Sequence, residues 1–214
     1  MIGADHGGGT ADKCAYYQHG GMRRQLAERY YHEFGPGARL VLGVGCGTGE
    51  FGRYQPRPHI EVLGVDADPG AIEAADRYER AHRIELESQP LPFDDGTFDA
   101  ALVKDIFKHV QYPGRPAAEI CQAIRLGDVL MASMVIDRPS RVWADYTHVR
   151  GFTRASARML LEDAGFRVTK MWLMGGVPLS SRLGLIPLVP HLLRLPLAHQ
   201  LWAFSWEISA MREG

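Results

Sequence analysis

Along the first two-thirds of the chain, short apolar runs alternate with segments that carry helix signals. The apolar runs fall at residues 39–44, 61–66, 83–87, 98–103 and 128–135. Runs of this length, bounded by Gly, Pro or Asp, predict buried strands. Between them, residues 50–54 begin a helix that Pro56 and Pro58 keep short. Pro69 suits the first turn of a helix reaching about residue 80. Residues 115–124 read as helical, and an N-terminal helix rich in Tyr and Arg covers 15–34 before Gly35-Pro36-Gly37 stops it. This alternation predicts a parallel sheet covered on both faces.

The last third reads differently. Residues 153–164 form a helix with Thr153 as N-cap and Gly165 as its close. Strands follow at 166–173 and 202–210, with no clear helix between them. Two such consecutive strands suit an antiparallel edge pair. The expected fold class is α/β, a doubly wound, mainly parallel seven-stranded sheet with an antiparallel C-terminal edge pair. An N-terminal helix region (1–38) precedes the core (39–214), in which 175–200 is an apolar insertion.

Composition narrows the function classes. A length of 214 residues suits one domain. A net charge of −1 offers no field for nucleic acid. Cys14, Cys46 and Cys121 have no paired spacing, which argues against a disulfide framework or a zinc site. The nine histidines show no metal-ligand pattern, so no catalytic metal is expected. Residues 1–10 are Gly-rich and polar, unlike a signal peptide. The most apolar stretch is broken by Pro178, Pro187, Pro190 and Pro196, so no membrane span is expected, and the cytoplasm is the expected location.

The most informative run is Gly43-Val44-Gly45-Cys46-Gly47-Thr48-Gly49, a glycine turn between strand and helix. Glycines let backbone approach a ligand, and the helix N-terminus beyond them offers free N–H groups. A dinucleotide fingerprint needs Gly-x-Gly-x-x-Gly, and neither start, at Gly43 or at Gly45, supplies it. The next strand ends at Asp66. In a doubly wound sheet, ligands lie outside the carboxyl ends of the strands. Asp66 there could accept two hydrogen bonds from a ribose diol, or it could simply cap the helix that starts near Pro69.

Three segments together resemble the class I S-adenosylmethionine-dependent methyltransferases, in their small-molecule branch. They are Val41–Gly49, Gly64-Val65-Asp66-Ala67-Asp68-Pro69, and Leu91-Pro92-Phe93-Asp94-Asp95-Gly96-Thr97-Phe98-Asp99. A weaker likeness runs on through residues 145–153 and 161–166. The resemblance implies a Rossmann-like methyltransferase fold that takes S-adenosyl-L-methionine and releases S-adenosyl-L-homocysteine. It implies that Gly43, Gly45, Cys46, Gly47 and Gly49 line the methionine portion and that Asp66 holds the ribose hydroxyls. Ala67 would pack against adenine, Glu87 would accept from its amino group, and the Ser88 amide would reach a ring nitrogen. Lys104 and Asp105 would sit near the sulfonium end, with Tyr16 and Tyr17 over the cofactor as part of an N-terminal lid. The chain departs from the family pattern at Gly43, where an acid is common, at Lys108, where Glu is frequent, and at Glu87, where Asp is more usual.

An acceptor hydroxyl benefits from a general base. His148 and His109 are the two candidates, because both follow strands whose carboxyl ends face the cofactor site. Either could equally be a packed loop residue. Arg150 and Tyr146 are the candidate acceptor-binding residues, while Arg158 reads as part of a solvated helix face. The apolar stretch at 175–200 suits a cap over a bulky or lipophilic acceptor, a homodimer contact or a membrane-surface contact. The expected activity is methyl transfer to a small-molecule acceptor, at oxygen, in secondary metabolism or glycan modification. A non-catalytic cofactor-binding protein and a nucleotide-cofactor oxidoreductase are the competing readings.

Overall fold

A computed structural model describes residues 24–75, 80–175, 188–192, 194–195, 197 and 202–214. The expectations for Cys14, Tyr16, Tyr17, an N-terminal lid and most of the 175–200 insertion lie outside these residues. The elements run α1 (Arg24–Glu33), β1 (Leu40–Val44), α2 (Glu50–Arg53), β2 (Glu61–Asp66), α3 (Pro69–Ala75), β3 (Arg80–Arg83) and β4 (Phe98–Lys104). Then come α4 (Gly114–Ala123), β5 (Ile124–Val135), α5 (Pro139–Val142), α6 (Arg154–Asp163), β6 (Phe166–Gly175), α7 (Val189–Leu192) and β7 (Ala203–Arg212).

The seven strands form one sheet in the order β3-β2-β1-β4-β5-β7-β6. β1 to β5 pair in parallel, while β7 runs antiparallel to both β5 and β6. The expected C-terminal antiparallel pair is therefore present, with the later strand inserted inside and β6 left at the edge.

Strand period sorts the core into two layers. From β1, Leu42 and Val44 join the larger cluster, which α4 and α6 complete with Ile120, Cys121, Ala157 and Leu161. Val41 points the other way, into a second cluster with Val62, Leu102 and Met131. α1 covers that cluster because Ala27, Tyr30, Tyr31 and Phe34 recur at helical spacing. Tyr31 stacks on Phe51 of α2 with ring centroids 4.2 Å apart. Burying side chains of this size contributes about 1.5–3 kcal/mol each.

Several expected boundaries shift, and β5 begins at Ile124 rather than residue 128. The third strand occupies residues 80–83 rather than 83–87, because β2 sets its register through Leu63↔Arg80 to Asp66↔Arg83. The chain then leaves the sheet, and residues 86–88 form a turn. In the α3 region the helix described ends at Ala75. The closing helix of the core is as expected. Thr153 and Ser156 form a reciprocal capping box, and Gly165 takes φ +98° after α6.

Candidate cofactor and acceptor site

The site forms where β1, β2 and β4 end side by side. After β1 the chain turns sharply, with Gly45 at φ +72°, Gly47 at +53° and Gly49 at +75°. At Gly49 a Cβ would stand 2.8 Å from the Ala75 Cα, so only glycine lets α2 start this close to α3. At Gly45 a Cβ would overlap the Ile106 side chain.

The loop is stitched to β2. The amides of Gly45 and Cys46 both donate to Val65 O, at 2.8 and 3.1 Å. Asp66 Oδ2 accepts from the Gly47 amide at 2.9 Å, and its Oδ1 accepts from the Asp68 amide at 3.0 Å. The α3 cap is Asp68, whose Oδ1 accepts from the Gly70 and Ala71 amides at 2.8 and 3.4 Å. Asp66 is thus not the helix cap. Each of its oxygens retains a second acceptor position for a ligand hydroxyl.

A cavity of about 200 Å³ opens beside Asp66. Complete ligand clefts hold roughly 300–1,000 Å³. This space is smaller than that. Its apolar wall includes Ala67, Ile84, Leu86, Ile106 and Val110, and its polar groups include Asp66, Glu87 and His109. Glu87 Oε1 already accepts from the Gln111 amide at 2.6 Å, which anchors the acid at the mouth. The Ser88 amide donates at 3.1 Å to Glu85 O within its own turn, and Ser88 does not line the cavity. The expected Ser88 contact with an adenine nitrogen would have to compete with this turn bond. Ile84, Leu86, Ile106 and Val110 were not singled out from the sequence, because apolar residues near a strand end look like core.

Beyond β4, Asp105 adopts φ +61°, the one described non-glycine residue in the left-handed region. The Lys104 ammonium lies 2.5 Å from Asp105 Oδ2, and the Lys108 ammonium 3.3 Å from Oδ1. Burial alone would raise the Asp105 carboxyl, but the two ammonium groups outweigh it and hold it below its ordinary value. Lys108 is the family departure noted above, and the structure gives it a role: it is buried and pairs with Asp105.

The two histidines part company. His109 lines the cavity, while His148 is buried and does not. His148 Nδ1 lies 2.8 Å from Val142 O, and its ring stands edge-on behind His109 with centroids 4.9 Å apart. Of the two candidates, His109 is therefore the one at the cavity wall. On the other side of His109, its Nδ1 faces Thr147, 3.0 Å from Oγ1 and 3.3 Å from the carbonyl oxygen. Thr147 Oγ1 also lies 2.7 Å from Asp145 Oδ1. Burial, then the nearby Lys108 charge, lowers the His109 value, which favours a neutral ring near pH 7.

The acceptor-side candidates line no part of the cavity described. Arg150 donates to the Gln111 carbonyl and so pins the 109–112 segment. Tyr146 is almost fully exposed. Arg158 pairs with Glu162 at 2.8 Å on an exposed face, as expected for a solvated helix. One polar group escaped sequence reading altogether. Glu207 in β7 is completely buried and accepts from the Tyr30 hydroxyl at 2.7 Å and from Ser205 Oγ at 3.0 Å. An acid inside an apolar strand was the available signal. Among the described residues, no group of three His, Cys, Asp or Glu could hold a metal ion, and no helix is long and apolar enough to cross a membrane.

The methyltransferase-domain family matches residues 42–132. An uncharacterized methyltransferase from Mycobacterium sp. (strain JLS) is 34% identical over 102 residues, covering 47% of this chain and 40% of that protein. The chain thus spans well under half the length of such relatives. A solved S-adenosylmethionine-dependent methyltransferase from Archaeoglobus fulgidus superposes with a TM-score of 0.75 at 17% identity, covering 95% of this chain and all of its own. The cyclase SpnF superposes with a TM-score of 0.66 at 19% identity, covering 89% of this chain and 81% of its own. Those two likenesses speak to fold. Residues 42–132 thus match the methyltransferase-domain family, and the fold is that of the solved S-adenosylmethionine-dependent methyltransferase from Archaeoglobus fulgidus.

Proposed function

We propose that this chain methylates an oxygen of a small-molecule acceptor, with His109 as general base. S-adenosylmethionine, the cofactor that the family and fold indicate, supplies an electrophilic methyl group on a sulfonium when bound. The residues fit its nucleoside half. Asp66 has acceptor positions for the ribose hydroxyls, Ala67, Ile84, Leu86 and Val110 offer an apolar slot, and Glu87 stands at the mouth for an exocyclic amino group. The glycine loop and the Lys104–Asp105 pair would hold the methionine half.

The observation that carries the reading is the place of His109, a ring held neutral by its surroundings at the wall of this cavity. A neutral ring takes the acceptor's hydroxyl proton at its free nitrogen and later returns it to solvent. Donor and acceptor need only be aligned, so positioning supplies most of the remaining acceleration. Exposed Tyr112 and Tyr146 lie on the two segments that the His109–Thr147 and Arg150–Gln111 contacts join. They suit an acceptor with an aromatic or apolar body.

A second reading has one specific support. Gly43 stands where the family commonly has an acid, which suits a binding protein that keeps the fold without the reaction. Calorimetry with S-adenosylhomocysteine and NADH, followed by methyl transfer to a panel of phenols, alcohols and amines, separates these readings. Binding of S-adenosylhomocysteine with methylation of hydroxyl acceptors is the expected result. Binding of NADH alone refutes the proposal, and cofactor binding without any transfer favours the second reading.

A further inference from the structure

We propose that Thr147 and Asp145 are positioning residues that fix His109 in its Nδ1–H tautomer, leaving Nε2 as the ring's only acceptor. The argument is one of donors and acceptors. His109 Nδ1 lies 3.3 Å from the carbonyl oxygen of Thr147, and a carbonyl oxygen can only accept. Nδ1 must therefore carry the hydrogen in this contact. The Thr147 hydroxyl, 3.0 Å away, then accepts from the same N–H. Its own hydrogen goes to Asp145 Oδ1 at 2.7 Å. The backbone amide of Thr147 donates to that same oxygen at 2.9 Å, so the carboxylate holds the loop as well as the hydroxyl.

Each link in this chain has a direction. Asp145 is held as an acceptor, because burial would raise its carboxyl but the two Thr147 hydrogen bonds outweigh that and keep it ionised. Thr147 cannot reverse its hydroxyl toward His109 without abandoning the carboxylate. The imidazole is left with an N–H on the Thr147 edge and a lone pair on the opposite edge. Asp145 is also the charge nearest to stabilising an imidazolium through Thr147. The other titratable groups near His109 are Lys108 and His148, both of which oppose a positive ring.

The catalytic use of Nε2 rests on the proposed function, but the tautomer does not. It is read from the side-chain 15N shifts of His109 in a long-range 1H–15N correlation spectrum at pH 8. The expected spectrum has Nδ1 protonated and Nε2 as the bare nitrogen. Thr147→Val should move the ring toward the Nε2–H form that free imidazole side chains prefer, and Thr147→Ser should restore the native pattern. Thermal unfolding of both variants confirms that the loop change left the fold intact. A native spectrum with Nε2 protonated overturns the proposal, as does a Thr147→Val spectrum identical to the native one. If the tautomer is as expected yet His109→Asn still methylates at the native rate, the base assignment fails and the tautomer device stands.

Discussion

Tyr30 and Glu207 meet through a 2.7 Å hydrogen bond sealed inside the protein, 177 positions apart in sequence. The contact ties the middle of α1 to the middle of β7. Glu207 pairs in register with Ser133 of β5, which pairs in turn with Lys104 of β4. A row of polar side chains therefore crosses the sheet under α1 and ends at the Lys104–Asp105 pair. Burial pushes the Glu207 carboxyl up to about 7, and the Asp105 charge adds to the rise.

That shift sets a pH dependence of stability. The folded state holds the Glu207 proton more tightly than the unfolded state, whose value is the ordinary 4.5. Stability from this group is complete below about pH 4.5 and is lost as pH climbs to about 7. The loss amounts to about 3 kcal/mol. Tyr30, raised first by burial and then by Glu207, acts only at alkaline pH, and Asp105 acts below its ordinary 3.8, so neither occupies this window; His109, lowered from 6.5 first by burial, opposes the Glu207 trend below about pH 6.5 and is common to native protein and variant. Denaturant midpoints measured from pH 5 to 8 should fall for the native protein. Glu207→Gln should flatten that fall. An equally steep decline in the variant would assign the effect to another group.

Asp66 holds the glycine loop and faces the cavity at once. Asp66→Ala removes two backbone hydrogen bonds and the ribose acceptor together. S-adenosylhomocysteine should bind about 10-fold more weakly or worse by calorimetry. Asp68→Ala is the control, since it loses only the α3 cap. It should cost about 1 kcal/mol of stability with little change in affinity. Equal affinity losses in the two variants would mean that Asp66 acts through the fold alone.

The glycines of the loop are not equivalent. Gly49→Ala forces a side chain into the left-handed region against the Ala75 backbone, at a cost of about 1–3 kcal/mol. Gly43 has no positive φ, and a Cβ there meets Val62 Cγ1 at an ordinary 3.7 Å. Gly43→Ala should change stability by less than about 1 kcal/mol. Thermal melts of the pair decide this. A severe loss in Gly43→Ala would mean that the strand needs glycine there for close packing.

His109→Asn should lower turnover about 100-fold or more, well beyond any loss of S-adenosylhomocysteine affinity from the changed cavity wall. His148→Ala should instead lower the melting temperature, because it removes a buried ring and its bond to Val142 O. A melting temperature unchanged in His148→Ala, with turnover abolished, would return the base role to His148.

The readable parts of this protein are local ones. The glycine spacing and the acid at the end of β2 lie within 24 residues of one another, and each strand–turn–helix unit carries its own signals. That is why sheet class, loop and Asp66 could be read directly. Glu87 could be read only through its resemblance to a family motif. His109 and Thr147 are 38 positions apart, and Tyr30 and Glu207 are 177, so no window of sequence pairs them. That His109 rather than His148 lines the cavity was hidden for the same reason. Which ring faces the cavity depends on how the 145–150 loop docks on Lys108 O through the Val149 amide. The turn bond from the Ser88 amide to Glu85 O was likewise not legible, since the sequence does not show where a turn residue places its one amide hydrogen.

The late arrival of β7 bears on how the chain is made. β5 ends at residue 135 and β6 at 175, yet both pair with a strand that is not synthesised until residues 203–212. During translation β5 therefore presents an open edge for tens of residues, and β6 has no sheet to join. Open edges recruit other strands. A nascent chain stalled before residue 203 should bind chaperones or self-associate, whereas one extended past residue 212 has the strand that joins β6 to the sheet.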